Sequence, residues 1–214
     1  MNSPASRGRT HDAPPGLYLF TPPLGDVAAF LRALQTVTDT TDVAALLLRL
    51  QDADERTLIN RAKDVAAIVQ PRGIALLLDG RAEIAARAGA DGAHLSGIEA
   101  LTAAIGALKP ELIAGAGGLK SRHDAMLAGE ANADYVMFGE PDGNGRRPPF
   151  AAVIERISWW ADVFEVPCVG YAQNLDEVSP LAQAGSDFIA LGDWIWTSEE
   201  SPAAVVTKAA NALA

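Results

Sequence analysis

From Gly16 onward, short apolar runs alternate with longer segments whose apolar residues recur at helical spacing. The runs are Leu17–Phe20, Val43–Leu50, Ile74–Leu78, Gly92–Leu95, Leu112–Ala116, Tyr135–Phe138, Pro167–Gly170 and Phe188–Leu191. They are near-continuous rather than alternating, which predicts strands buried on both faces. In the segment Thr57–Val69, Leu58, Ala62, Val65, Ala66 and Val69 share one helical face, while Arg61, Lys63 and Asp64 point away. Continuous apolar strands joined by amphipathic helices predict a parallel sheet covered by helices.

An internal echo narrows the topology. Ala88-Gly-Ala-Asp-Gly-Ala-His-Leu95, Ala131-Asn-Ala-Asp-Tyr-Val-Met-Phe138 and Ala184-Gly-Ser-Asp-Phe-Ile-Ala-Leu191 follow one pattern. Small residues end a helix, Gly or Asn takes the left-handed cap, an Asp follows, and an apolar strand begins. The aspartates, 91, 134 and 187, recur at about every second strand–helix unit, as alternate strands of a closed barrel would show. The expected fold is α/β, a single (β/α)8 TIM barrel over residues 16–214. A leader over 1–15, rich in Ser, Arg, His and Pro and without an apolar signal core, is expected to be disordered. A doubly wound open sheet is the alternative, but no G-x-G-x-x-G follows the first strand.

Composition excludes several function classes. The 214 residues are 49% hydrophobic and 21% charged, which is not the balance of a disordered chain. The net charge of −10 opposes non-specific binding to nucleic acid, because phosphate neutralisation needs a basic surface. No run of 18 apolar residues is present, so no membrane span is expected. The single cysteine, Cys168, rules out an internal disulfide framework and a cysteine-based zinc cluster. A cytoplasmic protein is expected. A small homo-oligomer is a further expectation, with Trp159 and Trp160 read as packing or subunit-contact residues.

In a barrel, the loops at the C-terminal strand ends carry function. Here they bring Arg49, Gln51 and Asp52 after the second strand, Asp79 and Gly80 after the third, and Ser96 and Glu99 after the fourth. The fifth loop offers Gly117, Gly118, Ser121, Arg122 and His123, where glycines can turn N–H groups toward an anion and Ser121 can equally cap a helix. The sixth offers Arg146 and Arg147, a pair able to clamp phosphate. Tyr171, Gln173 and Asn174 follow the seventh strand, and Gly192 and Asp193 the eighth. Asp79 and Glu99 are candidate Mg2+ ligands. His94 reads as a satisfied core histidine, and Trp194 and Trp196 as residues near the mouth.

Leu17-Tyr-Leu-Phe-Thr21, Ala90-Asp-Gly-Ala-His-Leu95, Ala133-Asp-Tyr-Val-Met-Phe-Gly139, Val166-Pro-Cys-Val-Gly170 and Ala184-Gly-Ser-Asp187 together resemble the thiamine-phosphate synthase family and its thiazole tautomerase relatives. The resemblance implies a barrel that joins hydroxymethylpyrimidine diphosphate to a thiazole phosphate and releases pyrophosphate with Mg2+. It implies catalytic roles for Arg49, Ser121 and His123 and metal roles for Asp79 and Glu99. It places Gln51, Gly117, Gly118, Arg146, Arg147, Gln173 and Gly192 around small phosphorylated substrates. Several of these depart from the family's pattern. Gln51 stands where the family has a diphosphate-binding Lys, Gly80 where it has a metal-binding Asp (Asp79 serves if the register shifts by one), and Arg147 where it has a Lys. Ala172-Gln173 replaces a phosphate-cradling Gly-Gly. The alternatives are a non-catalytic or repurposed barrel binding a thiamine-related phosphate or a partner protein, a proton-transfer activity on a thiazole by His123 or Glu140, and an oligomeric scaffold.

Overall fold

The computed structural model describes residues 13–213. Residues 1–12, which hold most of the expected leader, and Ala214 lie outside the described residues. Eight strands alternate with eight helices: β1 Gly16–Phe20, α1 Ala28–Thr40, β2 Ala45–Leu48, α2 Glu55–Val69, β3 Ala75–Asp79, α3 Ala82–Ala88, β4 Gly92–Ser96, α4 Ile98–Leu108, β5 Ile113–Gly117, α5 Arg122–Glu130, β6 Tyr135–Phe138, α6 Phe150–Val163, β7 Cys168–Ala172, α7 Val178–Gln183, β8 Phe188–Leu191 and α8 Pro202–Asn211. Every strand pairs in parallel with the next, and β8 pairs with β1 through Leu17 opposite Ile189, so the sheet closes. The open-sheet alternative is thereby excluded.

Closure explains why the strands read as unbroken apolar runs. Tyr18, Phe20, Leu47, Leu77, Tyr135, Met137, Val169, Tyr171 and Ala190 fill the barrel interior. Their neighbours Leu17, Leu19, Leu46, Leu48, Leu76, Leu78, Ile189 and Leu191 face the helices, where Leu58, Ala62, Val65, Ala66 and Val69 of α2 meet them. Both faces are dry, and each fully buried Leu or Val contributes about 1.5–3 kcal/mol. The run Val43–Leu50 shortens to Ala45–Leu48, because beyond it the chain is tied to the first loop: Arg49 N–H donates to Thr21 Oγ1 at 2.9 Å, and Leu24 bridges Leu50.

The repeated aspartates are clips on the strand starts. Asp91 accepts the Leu76 N–H at 2.7 Å, Asp134 the Ala114 N–H at 2.7 Å, and Asp187 the Cys168 N–H at 2.7 Å. The backbone N–H of each returns a bond to the carbonyl of the same strand residue. Each even strand therefore clamps the odd strand before it at the barrel's N-terminal end. The residues two positions ahead, Gly89, Asn132 and Gly185, all have positive φ, and the turn into the clip requires it. The echo is a stability device on the face opposite the functional one. Replacing Asp91 by Ala should lower unfolding stability by about 1–3 kcal/mol in a urea melt, since the Leu76 N–H loses its acceptor. An unchanged midpoint would contradict the clip.

Candidate functional site

At the C-terminal strand ends two cavities open. The larger, about 840 Å³, lies over β4, β5 and β6 and is lined by Ser96, Glu99, Gly118, Lys120, Glu140, Arg146, Arg147 and Arg156, among others. The smaller, about 460 Å³, lies over β2 and β3 and is lined by Pro23, Arg49, Leu50, Asp79, Gly80 and Arg81.

A row of polar groups crosses the barrel interior beneath them. Tyr18 and Tyr135 share a hydroxyl–hydroxyl hydrogen bond of 2.9 Å, and the Tyr135 hydroxyl lies 2.8 Å from His94 Nδ1. The other side of the His94 ring meets Gly117, where any Cβ would overlap both His94 Nε2 and Glu140 Oε1. Gly117 is thus fixed by close approach rather than by backbone conformation. Glu140 Oε1 accepts the Gly118 N–H. Burial disfavours charge on every member of the row. It pushes Glu140 up to about 7, against the pull of the Gly118 N–H, and pushes His94 down to about 4. Burial also raises both tyrosines well above the usual phenol range. At neutral pH the imidazole and the phenols of the row are uncharged, and burial favours the protonated form of the Glu140 carboxyl.

Four arginines of the mouth are paired with acids of the same chain. Arg49 donates through Nε to the Thr21 carbonyl at 2.7 Å and through Nη2 to Asp193 at 2.6 Å. Arg81 meets Asp52 at 2.6 Å, and Arg146 meets Asp142 at 3.2 Å. Arg147 Nη1 reaches Glu177 at 2.8 Å and Gln173 Oε1 at 3.1 Å. Arg156 is held by the carbonyls of Leu119 and Lys120. Asp79 is raised by burial, with Arg49 and Arg81 pulling it back.

The residues singled out in the sequence separate into groups. Glu99, Gly118, Arg146 and Arg147 line the larger cavity, and Arg49 and Asp79 the smaller. Gln51 turns back to the Pro23 carbonyl at 3.2 Å. Ser121 is the N-cap of α5, in a capping box with Asp124, and His123 is exposed on the first turn of that helix; neither lines either of these two cavities. Gly192 packs against the Tyr171 hydroxyl, and Gln173 lies on the rim of the Arg147 pair. Trp194 and Trp196 donate their indole N–H groups to the Ala172 and Phe20 carbonyls at 2.9 and 2.7 Å, closing the ends of β7 and β1. Trp160 is buried in the core, and Trp159 packs on Phe164 with Arg122 4.8 Å over its ring.

The acids proposed for Mg2+ do not form a metal site as they stand. Asp79 and Glu99 line different cavities, and no group of three or more His, Cys, Asp or Glu among the described residues is placed to share an ion. The charge of Asp79 is felt instead at Glu140, which it helps to raise. Glu177 and Asp193, the acids that hold Arg147 and Arg49, received no role from the sequence. Their partners are 30 and 144 residues away, so only closure of the barrel reveals them.

Glu140 and His94 predict a pH profile whose sign can be worked out. Between 4.5, the usual carboxyl value, and about 7, the unfolded chain has lost the Glu140 proton while the folded chain keeps it, so this contribution to stability falls as pH rises. Between about 4 and 6.5, the usual imidazole value, the unfolded chain holds a proton that folded His94 does not, so that contribution rises with pH. The two oppose each other across most of the range. Glu140→Gln should expose the His94 limb, a gain of roughly 2–3 kcal/mol from pH 4 to 6.5 in urea unfolding. Identical profiles for the variant and the parent would overturn these assignments.

The family model described as thiamine monophosphate synthase matches residues 17–195, which take in every strand from the second residue of β1 to the end of β8. The thiamine-phosphate synthase of Rhodospirillum centenum is 39% identical over 194 residues, covering 89% of this chain and 93% of its own. That of Hyphomonas neptunium is 38% identical over 205 residues, covering 92% of each. Among solved structures, the thiamine phosphate pyrophosphorylase from Pyrococcus furiosus superposes with a TM-score of 0.74 at 20% identity, covering 93% of this chain and 97% of its own. A 3-hexulose-6-phosphate synthase superposes with a TM-score of 0.71 at 16% identity, covering 92% and 100%. At such identities the structural likeness speaks for the barrel alone, whereas the sequence matches are specific: this chain belongs to the thiamine monophosphate synthase family.

Proposed function

We propose that the chain acts as a thiamine-phosphate synthase, joining a hydroxymethylpyrimidine diphosphate to a thiazole and releasing pyrophosphate. The observation that carries this reading is Arg49, which holds the family's arginine position at the end of β2 and lines a cavity with Asp79 and Arg81. The diphosphate is assigned to this smaller cavity. Arg49 and Arg81 are paired there with Asp193 and Asp52, whose side chains are 46% and 100% exposed. The arginine side chains are each 24% exposed, but their acids face solvent, so a diphosphate can displace the acids more cheaply than it could a buried pair. The thiazole is assigned to the larger cavity over β4 to β6.

The bond between the pyrimidine methylene carbon and the diphosphate oxygen breaks, and the thiazole nitrogen supplies the electron pair of the new carbon–nitrogen bond. Negative charge grows on the leaving oxygen, and Arg49 and Arg81 are placed to stabilise it. The row of Glu140, His94, Tyr135 and Tyr18 reaches the wall of the larger cavity at Glu140 and adds no fixed charge against the cationic carbon when Glu140 is protonated. Mg2+ is assigned no step here, since Asp79 and Glu99 line different cavities. A cytoplasmic setting belongs to the same proposal and rests on the sequence's single cysteine, too few for an internal disulfide. No helix among the described residues is long and apolar enough to cross a membrane. A barrel that binds the same ligands without turnover is a second reading, favoured by the acids that already occupy the mouth's arginines.

Purified protein incubated with the pyrimidine diphosphate and a thiazole acceptor, phosphorylated or not, should release pyrophosphate. Arg49→Ala should slow that release about a hundredfold, the effect of losing roughly 3 kcal/mol of transition-state stabilisation. Pyrophosphate binding without release would favour the second reading, and neither would sink both. Calorimetry with MgCl2 alone should give no saturable heat, whereas a saturable isotherm would show that Asp79 and Glu99 do assemble a site.

A further inference from the structure

The polar row inside the barrel has a direction. The Tyr18 hydroxyl has that of Tyr135 as its one partner among the described residues, so its hydrogen goes to the Tyr135 oxygen. The reverse order would bury a phenol hydrogen without an acceptor. The Tyr135 hydrogen then goes to His94 Nδ1 at 2.8 Å. A neutral imidazole that accepts at Nδ1 carries its proton on Nε2. The row therefore ends on the Nε2–H of His94, which is bonded to no other residue among those described.

That N–H faces the Glu140 carboxyl across Gly117. A Cβ on Gly117 would overlap both His94 Nε2 and Glu140 Oε1, so the two atoms close on one point. Oε1 also accepts the Gly118 N–H. With N–H donors on two sides, Oε1 stays the acceptor, and the proton of the neutral carboxyl belongs on Oε2. Oε2 is bonded to no other residue among those described, and Glu140 lines the larger cavity with Ser96, Gly118 and Met137. The cavity wall thus offers an O–H donor and an acceptor on one fixed, uncharged carboxyl.

Such an acid complements an amidine edge, a ring nitrogen next to an amino group: the O–H donates to the nitrogen, and Oε1 accepts from the amino group. The pyrimidine of the diphosphate substrate carries that edge. The positions agree as well. The diphosphate is assigned to Arg49 and Arg81, whose cavity Asp79 also lines. Burial foremost raises the Glu140 carboxyl, and the charge of Asp79 adds to it, so the two acids stand within electrostatic reach across the mouth. A ring anchored by its diphosphate on the β2–β3 side can extend to the carboxyl that follows β6.

We infer that Glu140 is the specificity-determining residue for the pyrimidine, its Oε2–H and Oε1 together holding the amidine edge of the ring. The inference deepens the reading that the chain couples a pyrimidine diphosphate to a thiazole, and rests on it.

The test is calorimetry with the free pyrimidine alcohol and with an analogue bearing hydrogen in place of the amino group. Both are titrated into the parent, Glu140→Gln and Glu140→Ala, with thermal melts to confirm folding. The parent should bind the amino compound about tenfold or more tightly than the analogue, the scale of one to two hydrogen bonds. A Gln amide offers the same N–H and C=O pair, so Glu140→Gln should keep the preference, whereas Glu140→Ala should abolish it. A purely structural Glu140 would weaken both ligands alike in Glu140→Ala and leave their ratio unchanged, and that result overturns the inference. A parent that does not distinguish the two ligands, or loss of the preference in Glu140→Gln, overturns it equally. Pyrophosphate release from the corresponding diphosphates separates the two levels of the account. A preference controlled by Glu140 without release sinks the reaction and keeps the pyrimidine contact, and release without that preference sinks the contact alone.

Discussion

The chemistry of this barrel depends on one constraint: closure brings arginines and acids from distant parts of the chain to a single mouth, where they neutralise one another. Arg49 with Asp193, Arg81 with Asp52 and Arg147 with Glu177 are three instances. An incoming diphosphate therefore exchanges partners rather than meeting bare cations. Solvent-exposed ion pairs are worth about 0–1 kcal/mol, whereas removing one member of a buried pair costs about 3–5. Burial thus ranks the pairs. Arg81 and Arg49 can release their acids, and Arg147 holds its own. By that ranking the β2–β3 side yields its arginines to an anion more readily than the β7 side does.

The row beneath the mouth obeys the same low-dielectric logic. Tyr18, Tyr135 and His94 satisfy one another by hydrogen bonds, so none needs a charge. Glu140 stands at the boundary between this interior and the larger cavity, held by the Gly118 N–H on one side and desolvated on the other. Gly117 makes the arrangement possible, since a side chain would displace both Glu140 and His94.

The fold was largely readable from the sequence because its signals are local. Two-sided burial makes each strand a continuous apolar run, and the face of α2 written by Leu58, Ala62, Val65, Ala66 and Val69 is the face that is buried. The echo around Asp91, Asp134 and Asp187 was visible as a pattern, and the structure supplies its cause in the strand clips. The site was less readable. Arg49, Asp79 and Arg147 stood out as residue types, but their partners lie far off in sequence, and a pairing between positions 49 and 193 has no local trace. Ser121 and His123 drew attention through their loop, although helix capping accounts for the serine and solvent for the histidine. Val43–Leu50 was overextended because apolar character continues past the point where Thr21 takes the Arg49 N–H.

The most direct measurement of the central claim is a crystal structure of the protein soaked with pyrophosphate. Exchange at the exposed pairs predicts Arg49 turned from Asp193 onto the pyrophosphate beside Arg81, with Arg147 still seated on Glu177. Pyrophosphate lodged on Arg147 with Glu177 expelled, and Arg49 still bound to Asp193, would contradict it.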